Sequence, residues 1–374
     1  MLGERRLFLA AGLVLLTTAC LTNGSSPSRP VPDTMSYGMQ VEPGNNLERA
    51  LTVLAAAGFQ WAKVQVRWEN IEREPGNVNW LLTDTVADAA YAHGVKLLFS
   101  VVTAPRWARP VDSDFSVPGP PTDPREFAAF LGSMAARYKG KVHAYEIWNE
   151  QNLWYEWGGR GRLHAAQYVD MLRLSYQAIK AADPGTMIIS GAPTPTGVDD
   201  GDNAYDDVRY LRMMYQAGLK DYSDAIGAHP SGYNNPPDAA WRTYADPTAG
   251  FGAKGHRSWF FLGTIEGYRE VMVEFGDAGK PLWLTESGWA SDPNPPTGYE
   301  YARDNTEAEQ AAWLRKAFEI AAAKRYVGAM FVWNLNFLTP DFAKSAFAVL
   351  RPDWTPRPAY CALAAMRGKQ VAGC

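Results

Sequence analysis

Histidine and cysteine are scarce in this chain, with five His and three Cys in 374 residues. The histidines are scattered, His-Glu-x-x-His does not occur and no two cysteines stand at zinc-site spacing, which argues against a metal hydrolase. Gly-x-Ser-x-Gly is missing too, and with it the usual signal of a serine hydrolase. No glycine-rich phosphate turn follows the first strand-like run, so a dinucleotide-binding unit is not expected. Gly158-Gly159-Arg160-Gly161 falls in a loop without that context. A basic excess is also lacking. The 36 Lys and Arg against 40 Asp and Glu leave a net charge of −4, which excludes the footprint of a nucleic-acid binder. No repeat of solenoid period is visible, and neither a cofactor nor a metal is expected.

What the chain has in quantity is apolar and aromatic. Hydrophobic residues make up 47% and charged ones 20%, the balance of a folded core rather than of disorder. The length suits two ordinary domains or one large α/β barrel. The 14 Trp and 18 Tyr serve core packing, stacking on sugar rings, or both at different positions.

The N-terminus has the flanks of a targeting segment. Arg5 and Arg6 precede an apolar stretch from Leu7 to Leu16, too short to span a bilayer, and small residues then lead to Ala19-Cys20. Leu16-Thr17-Thr18-Ala19-Cys20 resembles a bacterial lipobox, with Thr17 where Leu is more usual. That resemblance implies cleavage before Cys20 and lipidation of its thiol. The expected product is a cell-envelope lipoprotein held on the membrane outside the cytoplasm, with plain secretion as the alternative. Residues 1–20 then form the signal, 21–35 a Ser- and Pro-rich tether, and 36–374 a single folded domain. With Cys20 lipidated, Cys361 and Cys374 remain, either as a disulfide pinning the tail or as two free thiols.

Beyond the tether, strand-like runs alternate with amphipathic ones. The strands are expected at 36–41, 62–68, 95–102, 142–148, 187–191, 225–228, 281–285 and 329–333. Helices are expected at 46–57, 81–93, 124–138, 163–182, 206–218, 265–275, 306–324 and 359–367, with Gly58 and Gly94 closing the first two. Eight strands each followed by a helix predict a single (β/α)₈ barrel, an α/β fold. Two long loops, at 104–121 with five prolines and at 231–259, follow strands and so belong on the C-terminal face.

Two glutamates end two of the apolar runs. Glu150 closes Val142-His143-Ala144-Tyr145-Glu146-Ile147-Trp148-Asn149-Glu150, and Glu286 closes Pro281-Leu282-Trp283-Leu284-Thr285-Glu286. Charges at strand ends of this kind need a chemical reason, and cleavage of a glycosidic bond by two carboxyl groups supplies one. The contexts Trp148-Asn149-Glu150 and Thr285-Glu286 resemble those of clan A glycoside hydrolases, and the alternating pattern carries the resemblance over roughly residues 36–366. Families 39 and 5 (cellulase-like) are the most similar. A His usual near the third strand of family 5 is absent, since that strand runs into Thr103-Ala104-Pro105-Arg106-Trp107.

The resemblance implies a retaining mechanism with Glu150 as acid/base and Glu286 as nucleophile. It implies contact of Asn149 with a sugar 2-hydroxyl, and an Arg67 placed against the nucleophile. It further implies a site role for His229 and Tyr233, and a sugar floor at Trp333, with a cis peptide to Asn334. Trp107, Trp154, Trp157 and Trp289 are expected at the mouth, where their faces would stack on sugars. The expected substrate is a β-linked oligo- or polysaccharide, such as a β-xyloside, a β-glucan or an exopolysaccharide. The sequence leaves linkage, endo or exo action and oligomeric state open, with a monomer as the default. The alternatives are a transglycosylase, or a surface lipoprotein that binds polysaccharide without cleaving it.

Overall fold

The computed structural model describes residues 34–44, 46–247, 255–337 and 342–374. The signal segment, Cys20 and the tether up to residue 33 lie outside the described residues. Strands β1 (Ser36–Gln40), β2 (Trp61–Arg67), β3 (Lys96–Val102), β4 (Val142–Ile147), β5 (Met187–Ser190), β6 (Ala225–Ala228), β7 (Leu282–Ser287) and β8 (Val327–Val332) pair in parallel. Each lies beside its neighbours in sequence, and β8 closes on β1, making an eight-stranded barrel. A helix of nine or more residues follows each strand: α1 (Leu47–Ala56), α2 (Leu81–Ala92), α3 (Pro124–Arg137), α4 (Ala165–Ala182), α5 (Asp207–Gln216), α6 (Phe261–Glu274), α7 (Glu307–Ala323) and α8 (Pro358–Met366).

Local sequence explains where these helices begin and end. Asp123 caps α3 by accepting from the Arg125 N–H, with Pro124 in the first turn where its missing N–H costs nothing. Thr306 and Glu309 cap α7 reciprocally. After α1 and α2 the chain reverses at Gly58 (φ +80°) and Gly94 (φ +63°), in the left-handed region that glycine enters without strain. Cys361 and Cys374 form a disulfide with Cα atoms 5.5 Å apart, tying the C-terminal residue to α8.

Strand alternation sorts the core into two layers. Ala62, Val64 and Val66 of β2 face outward, in the same apolar cluster as Leu51 of α1 and Val86 of α2. The inward set makes a separate plug: Trp61, Leu98, Ala144, Ile189, Ala225, Trp283, Ala329 and Phe331. Trp61 and Trp283 meet edge-to-face at 5.2 Å in that plug. Trp61→Ala is expected to cost about 3–5 kcal/mol of stability, measured by urea unfolding.

Candidate functional site

Above the apolar plug the same inward-facing strand positions turn polar. On β2, Lys63 follows Trp61, on β4 Glu146 follows Ala144, and on β7 Thr285 follows Trp283. All three are fully buried. Lys63 Nζ stands 3.1 Å from Glu146 Oε2 and 2.9 Å from Glu286 Oε1, while Thr285 Oγ1 donates to Glu146 Oε1 at 2.6 Å. Burial disfavours the Lys63 charge, but the two carboxylates outweigh it and raise its pKa. The ammonium is therefore retained in the barrel, as a buried charge requires when it is paired.

The third tier is the C-terminal mouth. Strict alternation would turn Glu286 away from the axis, because Thr285 already points inward. The β7–β8 register slips here, from Leu284↔Met330 to Ser287↔Val332, giving β7 one extra residue. That bulge re-aims Glu286 into the mouth. Glu150 is turned by its backbone instead. Trp148 (φ +76°) and Glu150 (φ +48°) take left-handed conformations, which cost a non-glycine residue of order 1–3 kcal/mol. The segment is stapled down against that cost. Glu150 N–H donates to Ala192 O at 2.9 Å, Gln151 to Gly191 O at 2.7 Å, and the Asn152 amide exchanges hydrogen bonds with the Thr194 backbone.

Glu150 and Glu286 meet over His229, at the end of β6. His229 Nδ1 is 3.0 Å from Glu150 Oε1 and 3.8 Å from Glu286 Oε2. One oxygen of each carboxylate and the imidazole nitrogen all lie within 4.8 Å of one another. Burial alone would deprotonate His229; the Glu286 charge and the Glu150 hydrogen bond overcome it and raise its pKa. For Glu150 burial pushes upward, but His229, Thr194 and Lys63 outweigh it and lower the pKa. The proton shared by the pair therefore rests on His229.

The cavity around this pair encloses about 430 Å³, within the range of small-ligand sites. Asn149, Arg67, Tyr233 and Trp333 also line it. Asn149 is buried with its side-chain oxygen unpartnered among the described residues, and the Trp333–Asn334 peptide is cis. Trp333 leans edge-on against Phe347 at 4.8 Å.

Five expectations need correction. The Arg67 guanidinium pairs with Glu69 at 2.6 Å, and the cation against Glu286 is Lys63, four residues earlier on β2. Trp289 is fully buried, donating to Asn235 O at 2.9 Å and packing on Phe261. Trp107 donates to Glu72 O and packs on Trp68. Trp154 lies under the Arg160 guanidinium, 4.6 Å from ring centre, and Trp157 is buried against Trp148. None of these tryptophans lines the cavity. Its walls include Gln40, Gln65, Tyr155, Glu156 and Lys344, none of which the sequence reading selected. The proline-rich loop at 104–121 is closed on itself, with buried Arg109 donating to Val117 O and Asp114 O.

No family model and no curated protein matches this chain. Solved structures do. A family 39 glycoside hydrolase from the gut symbiont Bacteroides cellulosilyticus WH2 superposes with a TM-score of 0.66 at 21% identity, over 90% of this chain and 64% of that one. The chain therefore spans just under two thirds of that relative's length. Xylanase 10B from Thermotoga petrophila RKU-1, in complex with xylobiose, gives 0.58 at 15% identity, over 90% and 94%. The β-glycosidase BGL167 gives 0.62 at 17%, over 92% and 99%. The chain thus has the (β/α)₈ fold that these proteins share.

Glu150→Gln replaces the charged acceptor of the His229 hydrogen bond with a neutral amide oxygen and so removes one of the two negative neighbours of His229. The His229 pKa is expected to fall in this variant relative to wild type, as read by imidazole NMR titration.

Proposed function

We propose that the chain is a retaining glycoside hydrolase acting on β-linked oligo- or polysaccharides, with Glu286 as nucleophile and Glu150 as acid/base. One observation carries the reading. The facing oxygens of the two carboxylates lie within 4.8 Å of each other at the open end of the barrel. Double displacement uses carboxyls about 5–5.5 Å apart, whereas inversion needs about 6.5–9.5 Å to admit a water. The barrel fold of the solved glycosidases supports the same class.

The charges around the pair suit that chemistry. Lys63 and His229 face Glu286 from below and from the side. In the first step Glu286 attacks the anomeric carbon, whose bond to the departing oxygen breaks as Glu150 passes to that oxygen a proton drawn from His229 Nδ1 at 3.0 Å, which leaves Glu150 ionised. Forming the glycosyl ester consumes the Glu286 charge, and with it the largest charge favouring protonated His229. The proton is thereby released toward Glu150 as the leaving group needs it. In the second step Glu150 takes a proton from water, which attacks the anomeric carbon and frees Glu286. Asn149, with its unpartnered oxygen, is suited to a sugar hydroxyl.

Glu286→Gln is expected to lower turnover of aryl β-glycosides by roughly 1000-fold or more, and NMR of the first product should show the β-anomer. Wild-type-like turnover by the variant, or saccharide binding without release of reducing ends, would sink the assignment. The same screen, over β-xylosides, β-glucans and exopolysaccharides, assigns the linkage.

We further propose that the protein acts outside the cytoplasm. The lipobox-like end at Cys20 supports a lipid anchor, and the Cys361–Cys374 disulfide supports an oxidising compartment. Labelled palmitate is expected to enter the full-length chain and not its Cys20→Ala variant.

A further inference from the structure

A third carboxyl, that of Glu156, lines the cavity holding Glu150 and Glu286. It stands on a short turn, Trp154–Glu156, in the loop between β4 and α4. The turn is fixed through its backbone: buried Trp148 Nε1 donates to Glu156 O at 3.0 Å, and Glu156 N–H donates to Leu153 O at 3.1 Å. The side chain is fixed by nothing comparable. Glu150 has His229, Glu286 has Lys63 and Arg67 has Glu69. Among the described residues the Glu156 carboxyl has neither a hydrogen-bond nor an ion-pair partner.

Several charged or titratable groups face it. Glu150 and Glu286 lie on the barrel axis, Arg67 at the end of β2, Lys344 beyond β8, and Tyr155 beside it in the turn. Burial is the largest influence and the Glu150 charge the next; together they outweigh the two cations and raise its pKa to about 8. That shift favours the neutral carboxylic acid at neutral pH. As such it both donates and accepts, and it adds no negative charge to a cavity that already holds two carboxylates. A carboxyl aimed into a ligand cavity with no protein partner is matched by a group on the ligand.

We propose that Glu156 is a substrate-binding residue of this site, its carboxyl donating to one hydroxyl and accepting from another on a sugar unit seated beside the Glu150–Glu286 pair. This rests on the glycosidase reading of the site and adds a specificity determinant to it. Ionisation removes the donor and places a further charge beside Glu150, so the wild-type KM rises as pH increases through about 8.

Two variants and a titration test the assignment. Glu156→Ala is expected to raise KM for the best aryl β-glycoside about ten-fold, the loss of a hydrogen-bonded pair, with kcat less affected. Glu156→Gln keeps one donor and one acceptor; it should raise KM less and remove the rise near pH 8. Carbon-13 NMR of glutamate-labelled protein should show one carboxyl, lost in Glu156→Gln, titrating near pH 8. An unchanged KM in Glu156→Ala, a Gln variant as impaired as the Ala variant, or a Glu156 carboxyl titrating in the ordinary range would each overturn it. The catalytic reading fails separately, through an active Glu286→Gln. The variants are then read by calorimetry with xylobiose and cellobiose, where binding unaffected by Glu156→Ala overturns the proposal.

Discussion

A single ammonium group ties the upper barrel together. Lys63 Nζ is wholly enclosed and bridges Glu146, deep on β4, to Glu286, at the mouth on β7. Removing one partner of such a buried set strands an uncompensated charge, at a cost of about 3–5 kcal/mol, so the three residues hold one another in place. Thr285 completes the arrangement by donating to the far oxygen of Glu146. The interior of the barrel thereby changes from apolar to ionic within one residue pair along β2, from Trp61 to Lys63. Glu286 is the top of that ionic column, and its orientation is set from beneath before any ligand arrives.

On this base, three carboxyls in one cavity occupy three environments. Glu286 sits on Lys63. Glu150 is held by His229 and Thr194, which lower its pKa against the push of burial. Glu156, partly buried beside the other two charges and without a hydrogen-bond or ion-pair partner among the described residues, has its pKa raised to about 8. Separating carboxyl groups by environment is the general means by which one side-chain type performs several tasks. The separation here follows from address: an inward strand position for Lys63, a strand end for His229, and a loop turn for Glu156.

The barrel was legible because its signal is redundant. Eight apolar runs, each with a helix-period partner and several with glycine or proline punctuation, leave few alternatives, and every strand lies within about two residues of its expected bounds. Glu150 and Glu286 were legible because a carboxylate at the end of an apolar run is conspicuous. Lys63 carried a weaker signal of the same kind. Lys63-Val64-Gln65-Val66-Arg67 alternates polar with apolar, and this predicts three polar residues on the inward face. Arg67, at the strand end, drew the expected contact, but Glu69 two residues on takes its charge. The tryptophans illustrate a different limit. Trp289 and Trp333 both follow a strand of the mouth, yet Trp289 turns back under Phe261 while Trp333 faces the cavity. Loop path decides between them, and composition does not encode it. Glu156 was unreadable for a related reason, since its chemistry comes from burial and from the lack of a partner.

The division between strand and loop also explains how identities of 14–21% coexist with superposition over about nine tenths of the chain. Closing the barrel constrains residues mostly to be apolar and of suitable volume, which many sequences satisfy. Glu286 sits in β7, and Glu150 lies three residues past β4, pinned to Ala192 just beyond β5, so their spacing is set close to the closed barrel. The rest of the cavity is built by the loops themselves: Glu156 after β4, Tyr233 after β6, Tyr299 and Tyr301 after β7, Lys344 after β8. Such segments vary without disturbing the core that carries the charges. On the proposed function, bond cleavage and sugar selection fall to separate parts of one mouth, with Glu156 on a loop turn.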